Sequence, residues 1–412
     1  MANAQDYVAW RGDLSFSAAP WNEIDGLLIA IFSYLDFHGG MDPRGWTLEE
    51  LKRIELLQEG TSPSFPARKE MFEAMAESVR FGGCRMHHAL SLTDERIAMQ
   101  FSAVCVEMPD DTTCVVFRGT DNTIVGWRED FNMAFSTRVP AQEAAAIYLA
   151  RAAELTDRPL RLVGHSKGGN LAVYAAACAA PQLQDRIESI WCYDGPGMNR
   201  EMSRSEGYLR IRDRIHSYVP QTSIIGMLMD YYEPYTVVRS TASGLSQHEP
   251  VSWQIYGPRF ETLEQLDRTA LVVRDTLHDL LKNSEPEQRA AFVDAMFGWV
   301  ETTKATKMSD LTGEKIRSML TMVGNRKEVE PEARRVFSRL LAQAVTLGFG
   351  NMIDRVRGRK DEEDGAAWET MSPEKRREML SAKMDGKNED PPAGGEGTQE
   401  EQTGGKNDRI DP

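Results

Sequence analysis

The sequence predicts an α/β fold in which helices flank a mostly parallel β-sheet, followed by a helical C-terminal unit and an acidic tail. Strand and helix patterns alternate along the middle of the chain, and such alternation is typical of parallel strands joined by helices that cover the sheet. Beyond residue 260 the apolar residues follow helical spacing almost throughout. From residue 385 onward only Ala393 and Ile410 are apolar, so this part of the chain cannot bury enough surface to fold.

Composition restricts the class of protein and its partners. The chain has 412 residues, 41% of them hydrophobic, which suffices for two or three structural units and at least one sizeable core. A formal charge of -15 disfavours nucleic acid or an anionic membrane as a partner, because acidic surfaces repel phosphate. The N-terminus lacks the pattern of a signal peptide, and no apolar run approaches the ~20 residues that span a bilayer. Five cysteines without a C-x-x-C pair are typical of reduced thiols, so we expect a soluble, cytoplasmic protein.

The N-terminal residues 1–80 are predicted to form a helical segment that packs on the core. Asn22 or Asp25 can cap an apolar helix within NEIDGLLIAIFSYLDF. A second, amphipathic helix is predicted in TLEELKRIELLQEG, where Gly60 would end it.

Residues 81–260 are predicted to form the α/β core. Apolar and polar residues alternate after Arg96, and the turn MPDD leads into TTCVVFRGT, which indicates a β-hairpin that enters a sheet. There follow a helix over 141–155, a buried strand over 160–163, a helix over 170–180 and a strand in IESIWCYDGPG. Two further strands, in RIHSYVP and YTVVRST, complete the sheet before His248.

Residues 261–355 are predicted to form the helical C-terminal unit, because four successive segments place apolar residues at helical spacing. This unit is the surface that we assign to a protein partner. Residues 356–412, which begin VRGRKDEEDG, are predicted to form a mostly disordered acidic tail.

Gly164–Gly168 match the pattern G-x-S-x-G, with a strand immediately before it and a helix immediately after it. That pattern places a nucleophilic serine on a strained strand-to-helix turn, where side chains at the two glycine positions would collide with neighbouring elements. The alternative is a glycine-rich turn that contains a serine without a chemical role. The flanking strand and helix favour Ser166 as a nucleophile.

A serine nucleophile needs a base within hydrogen-bond reach, and in this type of sheet the base is a histidine that follows both the serine and the acid. Three histidines follow Ser166, namely His216, His248 and His278. His278 lies in the middle of a predicted helix, and His216 lies in an alternating strand where packing is the commoner role. We assign His248 as the base because a loop residue can reach across the sheet ends, the alternative being an ordinary loop histidine.

The acid that orients the base has more than one candidate. Asp194, in WCYDGPG, follows the strand after Ser166, so its carboxylate should emerge at the same sheet edge as the serine. An Asp before Gly-Pro can instead stabilise a turn through its own backbone. Asp230 and Glu233, in MLMDYYEPY, compete for the role. We assign Asp194 and keep Asp230 as the next candidate.

An acyl-transfer site also needs hydrogen-bond donors for the oxyanion. One predicted donor is the backbone N–H of Lys167, the residue after the nucleophile, whose side chain we expect to be free for solvent. The second is Thr120 in VVFRGT, which offers both an N–H and a hydroxyl, while Gly119 lets the chain approach closely. The alternative interpretation of this segment is a simple strand end.

Taken together, VVFRGT and LVGHSKGGNLA resemble the class-three, fungal-type lipase branch of the α/β-hydrolase superfamily, and the resemblance implies that fold. In that family an oxyanion donor follows the Arg-Gly pair, which corresponds to Thr120, and the nucleophile corresponds to Ser166. The opening DYVAWRGDLSF, with YDGPG, VPQTSIIGML and QHEPVSW, also resembles a bacterial family of unknown function with a predicted lipase-like domain, over about residues 5–350. Where the lipases carry an acid before a Val-Pro pair this chain has Ser217 and Tyr218, so Asp194 becomes the substitute, as in pancreatic-type lipases.

The sequence therefore predicts an esterase-like or lipase-like serine hydrolase that cleaves carboxylic esters of a small molecule or lipid through an acyl-enzyme at Ser166. Thioesters and amides stay open, because a triad does not distinguish them. The alternative is a catalytically inactive binding protein on a hydrolase scaffold. No G-x-G-x-x-G follows a strand, no G-x-x-x-x-G-K-[ST] occurs, and MHH at residues 86–88 is too isolated for a metal site, so we expect neither cofactor nor metal.

Overall fold

The structure is a computed structural model. It describes residues 2–37, 44–60, 62, 64–121, 124–135, 138–268, 270–271, 274–275, 368 and 370–386. The described residues form a nine-stranded sheet with helices on both faces. Most of the predicted C-terminal helical unit over 261–355 lies outside the described residues, as does the tail from residue 387 onward.

Within the described residues the helices are α1 Ala4–Arg11, α2 Glu23–Phe32, α3 Leu48–Arg53, α4 Phe65–Glu77, α5 Ile124–Phe135, α6 Pro140–Glu154, α7 Lys167–Cys178, α8 Pro181–Gln184, α9 Glu206–Ile211 and α10 Pro373–Met384. The strands are β1 Trp46–Thr47, β2 Arg85–Asp94, β3 Met99–Glu107, β4 Thr113–Phe117, β5 Leu160–His165, β6 Ile187–Tyr193, β7 Ile215–Pro220, β8 Tyr235–Val238, β9 Ile255–Tyr256, β10 Arg259–Phe260 and β11 Thr262–Leu263. None of these helices has both the length and the apolar character that crossing a membrane requires.

The large sheet is mixed, with the strand order β1-β2-β3-β4-β5-β6-β7-β8-β11. Neighbouring strands from β4 to β8 pair in parallel, whereas β1 to β4 and the β8–β11 pair are antiparallel. The prediction of a mostly parallel sheet is therefore right for the centre, and the predicted hairpin corresponds to the antiparallel pair β3–β4, whereas the antiparallel pairs β1–β2, β2–β3 and β8–β11 were not predicted. Short turns join β2 to β3 and β3 to β4, as antiparallel neighbours allow, whereas α-helices lie between β4 and β5, between β5 and β6 and between β6 and β7.

The two faces of the sheet bury alternate residues of the same strands. Cys114 and Val116 of β4 face a cluster that includes α1 to α4, whereas Val115 and Phe117 face a cluster that includes α6 and α7. This is the two-residue period of a strand buried on both sides.

The N-terminal segment covers the first of these faces. Asn22 caps α2 by accepting a hydrogen bond from the Ile24 N–H at 2.9 Å, and Asp25 accepts one from the Asn22 N–H at 2.9 Å. Both predicted capping residues thus act at the same helix end. The second predicted helix is shorter than expected, since α3 ends at Arg53 and not near Gly60. Glu55 has a left-handed backbone with φ of 51°, which does not continue a helix.

The tail predicted over 356–412 contains the helix α10, which packs against the core. Leu380 is fully buried in the cluster that contains α6 and α7. Arg376 pairs with Glu143 at 2.9 Å and Lys383 pairs with Asp94 at 2.6 Å. Residues 373–384 therefore depart from the expected disorder, because Leu380 finds an apolar site and the flanking charges find partners.

Candidate active site

Ser166 lies between β5 and α7 with φ of 58° and ψ of -135°. A residue other than glycine in this region costs on the order of 1–3 kcal/mol, and persists only where its surroundings impose it. The Ser166 N–H donates to the carbonyl oxygen of Tyr193 at 2.9 Å, which ties the turn to the neighbouring strand. The strained turn thus presents a serine side chain where the strand ends.

The glycines on either side of Ser166 are required by the backbone around them. A Cβ on Gly164 would lie 2.1 Å from the carbonyl oxygen of Gly168. A Cβ on Gly168 would lie 2.0 Å from the carbonyl oxygen of Phe117. Any side chain at these positions would therefore push α7 away from β4 and β5.

Asp194 and His248 are joined by a hydrogen bond. Asp194 directly follows β6, and its Oδ2 lies 2.7 Å from Nδ1 of His248 in the loop after β8. The Asp194 side chain is 1% exposed and that of His248 is 26% exposed. The carboxylate is thus buried while the imidazole keeps access to solvent, the arrangement that a histidine base oriented by an acid requires.

The surroundings of Asp194 fix the direction of its carboxylate. Its backbone is left-handed, with φ of 47°, and its N–H donates to the carbonyl oxygen of Tyr218 at 2.7 Å. The Ser223 hydroxyl donates to Oδ1 at 2.5 Å, and a Cβ on Gly226 would lie 2.6 Å from the same oxygen. Both carboxylate oxygens of Asp194 therefore have a partner, Oδ1 in Ser223 and Oδ2 in His248.

The competing acids lie elsewhere. Asp230 is exposed and forms an isolated antiparallel bridge with Met198. Glu233 is buried and accepts hydrogen bonds from the Ser217 hydroxyl at 3.0 Å and from the Tyr208 hydroxyl. Among these three candidates, Asp194 alone contacts His248 in the described part of the chain.

The other two candidate bases are not part of this arrangement. His216 stacks on Trp191 with ring centroids 4.3 Å apart, the packing role expected for it, and His278 lies outside the described residues. Among the described residues no hydrogen bond joins the Ser166 hydroxyl to His248. Catalytic hydrogen bonds are often long or misaligned before substrate binds.

His165, the residue before Ser166, contacts His248, a contact that no sequence pattern predicted. Its Nε2 lies 2.8 Å from the His248 carbonyl oxygen, which can only accept, so this nitrogen donates. Burial holds the pKa of His165 well below its usual range, and the ring is neutral. Its Nδ1 therefore accepts from the hydroxyl of Tyr34, at 2.9 Å. The only sequence signal for His165 is its position inside the G-x-S-x-G pattern.

Thr120 follows Gly119, whose backbone approaches the serine turn. A Cβ on Gly119 would lie 2.9 Å from Cβ of Ser166, so the chain before Thr120 approaches the turn closely. The Thr120 hydroxyl donates to Oδ2 of Asp130 at 2.6 Å. Burial raises the pKa of Asp130 to about 6. Because the hydroxyl is held by Asp130, the backbone N–H is the group of Thr120 that we assign to an oxyanion.

The expectation that the Lys167 side chain is free for solvent is wrong. Lys167 is fully buried, and its Nζ donates to the carbonyl oxygen and Oε1 of Gln100, both at 2.7 Å, and to Oε2 of Glu129 at 2.9 Å. The side chain enters the core between β3 and α5, where Glu129 supplies the charge that a buried ammonium requires. No sequence pattern pointed to Glu129 or Gln100.

The histidines of MHH contact each other, with Nδ1 of His87 2.6 Å from Nδ1 of His88. Within the described ranges, no group of three or more His, Cys, Asp or Glu side chains is placed to hold a metal ion.

Comparison with solved structures finds lipases at low similarity. A fungal lipase from a lipase–inhibitor complex gives a TM-score of 0.30 at 14% identity, covering 42% of this chain and 70% of that chain. The M37 lipase gives 0.34 at 15% identity, covering 50% and 69%. A triacylglycerol lipase from Penicillium expansum gives 0.27 at 14% identity, covering 43% and 76%.

Comparison with curated proteins finds no match. The Mbeg1-like family model, in contrast, matches residues 75–298, which is more than half of the 412 residues and includes Ser166, Asp194 and His248. The chain therefore belongs to the Mbeg1-like family.

Proposed function

We propose that the protein is a serine hydrolase that cleaves carboxylic esters of a small molecule or lipid through an acyl-enzyme at Ser166. His248 is the base, Asp194 orients it, and the N–H groups of Thr120 and Lys167 bind the oxyanion. The observation that carries the proposal is the 2.7 Å hydrogen bond between the buried Asp194 and the partly exposed His248, beside a serine in a strained turn.

In this mechanism the Ser166 oxygen attacks the acyl carbonyl carbon while Nε2 of His248 takes the hydroxyl proton. The tetrahedral intermediate then collapses, the bond to the leaving alcohol breaks, and His248 returns the proton to the alcohol. Water attacks the acyl-enzyme by the same route, which releases the carboxylic acid and restores Ser166. Asp194 accepts the hydrogen bond from Nδ1–H of His248 throughout, which leaves Nε2 as the atom that takes and returns the proton.

The oxyanion donors are supported by the positions of two loops. Lys167 begins α7 directly after Ser166, and Thr120 follows β4 at the point where Gly119 approaches Ser166. The buried Lys167 side chain and the Thr120–Asp130 hydrogen bond hold both backbones in place. Donors that are fixed before the reaction stabilise developing charge without reorganisation.

Two features favour catalysis over the alternative of an inactive binding protein. The Ser166 backbone is held in a strained conformation that a plain turn does not need. His248 is paired with an acid whose other oxygen is also fixed, by Ser223.

The proposal is tested with a fluorophosphonate probe that labels activated serines, together with a panel of p-nitrophenyl esters of increasing acyl length. We expect labelling and ester hydrolysis by the wild-type protein, both lost in Ser166→Ala. Ser17→Ala, at an exposed serine, serves as the control and should label normally. Absence of labelling and of hydrolysis in the folded wild-type protein would contradict the proposal.

A further inference from the structure

We propose that Tyr34, Arg68 and Glu249 form a positioning network that holds the backbone of His248 in the place from which it can act. The inference rests on the proposed function, because it assigns a purpose to contacts around the proposed base. Tyr34 and Arg68 lie before residue 75, where the match to the family model begins. The N-terminal segment would then complete a site whose proposed catalytic residues all lie within the matched region.

The first branch of the network reaches the carbonyl group of His248. The Tyr34 hydroxyl donates to Nδ1 of His165 at 2.9 Å, and Nε2 of His165 donates to the His248 carbonyl oxygen at 2.8 Å. The two imidazole rings also pack together, with centroids 4.5 Å apart. Burial keeps Tyr34 in its neutral form by raising its pKa, so the direction of donation along this chain is fixed.

The second branch holds the residue that follows His248. Oε2 of Glu249 accepts from the Ser64 hydroxyl at 2.6 Å. Nη2 of Arg68 lies 3.1 Å from Oε2 and 3.2 Å from Oε1 of the same carboxylate. Ser64 immediately precedes α4 and Arg68 lies in its first turn. The N-terminal end of α4 therefore contacts Glu249, the loop residue that follows His248.

Arg68 joins the two branches. Its guanidinium carbon lies 4.3 Å from the centroid of the Tyr34 ring, within the range of a cation–π contact. An exposed ion pair contributes little to stability. The Arg68 side chain, however, is only 11% exposed, and it both stacks on Tyr34 and pairs with Glu249. The network thus contacts the His248 carbonyl on one side and the adjoining residue on the other.

Such support is needed because His248 ends a short helical loop over Gly244–His248 and is not part of the sheet. Loops are the more mobile parts of a fold. The hydrogen bond to Asp194 orients the imidazole ring but does not by itself fix the backbone that carries it. Displacement of a catalytic group by about 1 Å can lower a rate by about 100-fold.

The experiment compares Tyr34→Phe, Arg68→Met, Glu249→Gln and the double variant Arg68→Met/Glu249→Gln in the full chain. Lys69→Met is the matched control, because Lys69 is the next residue on α4 and pairs with Glu59 on the surface. Two readouts are used. One is kcat and KM for p-nitrophenyl esters, and the other is the NMR signal of the hydrogen-bonded Nδ1 proton of His248. Thermal melting establishes that each variant is folded, and Tyr34→Phe keeps the ring on which Arg68 packs.

We expect each single variant to lower kcat about 10-fold with KM nearly unchanged, since positioning affects the reacting geometry more than substrate binding. The double variant should lose no more than Arg68→Met alone, because both changes remove the same contact. The His248 proton signal should broaden in the variants and stay sharp in Lys69→Met. A purely structural role would lower the melting temperature without these changes in folded protein.

The network and the proposed function fail in different ways. If the wild-type protein hydrolyses esters and the three single variants behave like Lys69→Met, the network is refuted and the function stands. If the wild-type protein is inactive, the proposed function fails, and the NMR signal alone tests whether the network positions His248. Broadening in the variants then supports positioning of His248, and an unchanged signal overturns it.

Discussion

The ammonium of Lys167 lies 2.9 Å from a carboxylate oxygen of Glu129, and both side chains are fully buried. Glu129 also accepts hydrogen bonds from the N–H groups of Gln100 at 3.0 Å and Ala141 at 2.8 Å. This pair ties α5 to the first residue after the proposed nucleophile. From the sequence alone, the Lys167 side chain is expected to lie in solvent.

Removal of the Lys167 charge should be strongly destabilising. We expect Lys167→Met to lower the free energy of unfolding by about 3–5 kcal/mol, because Glu129 would be left as an unpaired buried charge. The double variant Lys167→Met/Glu129→Gln should recover part of that loss. Urea denaturation checks both values. Lys52→Met, which removes a partly exposed pair with Glu77, should change stability by less than about 1 kcal/mol. Equal losses for Lys167→Met and Lys52→Met would refute the argument.

Replacement of the proposed acid should affect turnover far more than replacement of its competitor. Asp194→Asn should lower kcat by about 10³- to 10⁴-fold, because the amide no longer holds His248 in the tautomer that the reaction needs. Asp230→Asn, at an exposed position without contact to His248, should stay within about threefold of wild type. Steady-state ester hydrolysis provides the measurement. Near-normal turnover by Asp194→Asn would remove Asp194 from the mechanism.

The serine turn should not tolerate a methyl group on Gly168. The Cβ of Gly168→Ala would lie 2.0 Å from the Phe117 carbonyl oxygen, so β4 and α7 must separate. We expect a loss of about 1–3 kcal/mol or more in the free energy of unfolding, together with reduced hydrolysis. Gly83→Ala is the matched control, since the nearest atom to its added Cβ is 3.9 Å away. Comparable stability of the two variants would show that the turn relaxes freely.

Asp130 should make stability depend on pH. Burial is the largest cause that raises the pKa of its carboxyl from 3.8 to about 6, and the nearby Lys167 ammonium lowers it. The folded protein thus holds this proton more tightly than the unfolded chain, so the Asp130 contribution to stability falls as pH rises from 3.8 to about 6. Asp130→Asn should remove that fall. Urea denaturation across this range tests it, with Asp157→Asn as the control for the loss of one surface charge. Parallel pH profiles for Asp130→Asn and the wild type would contradict the assignment.

Local patterns were sufficient for the central elements of the fold. The alternation after Arg96, the apolar run of β4 and the helical spacing of α6 and α7 match elements of the structure, because runs of apolar residues between turn signals are typical of elements buried in a core. The strand β2 was not predicted. Its pairing with β3 shifts between His87 and Leu90, and this irregularity breaks the alternation that would have revealed it.

The sequence by itself determined the α/β class and the serine in its glycine-flanked turn, and it offered Asp194 and His248 as candidates for the acid and the base. These depend on short-range order along the chain, in which strands end at one sheet edge and certain turns need glycine. Only the tertiary structure decided that Lys167 is buried against Glu129 and that His165 contacts His248. It also decided that Tyr34 and Arg68 of the N-terminal segment contact His165 and Glu249. The physical reason is that a buried ion pair or a hydrogen bond between distant segments depends on which side chains the fold brings together. The spacing of apolar residues within a single helix or strand does not indicate such long-range contacts.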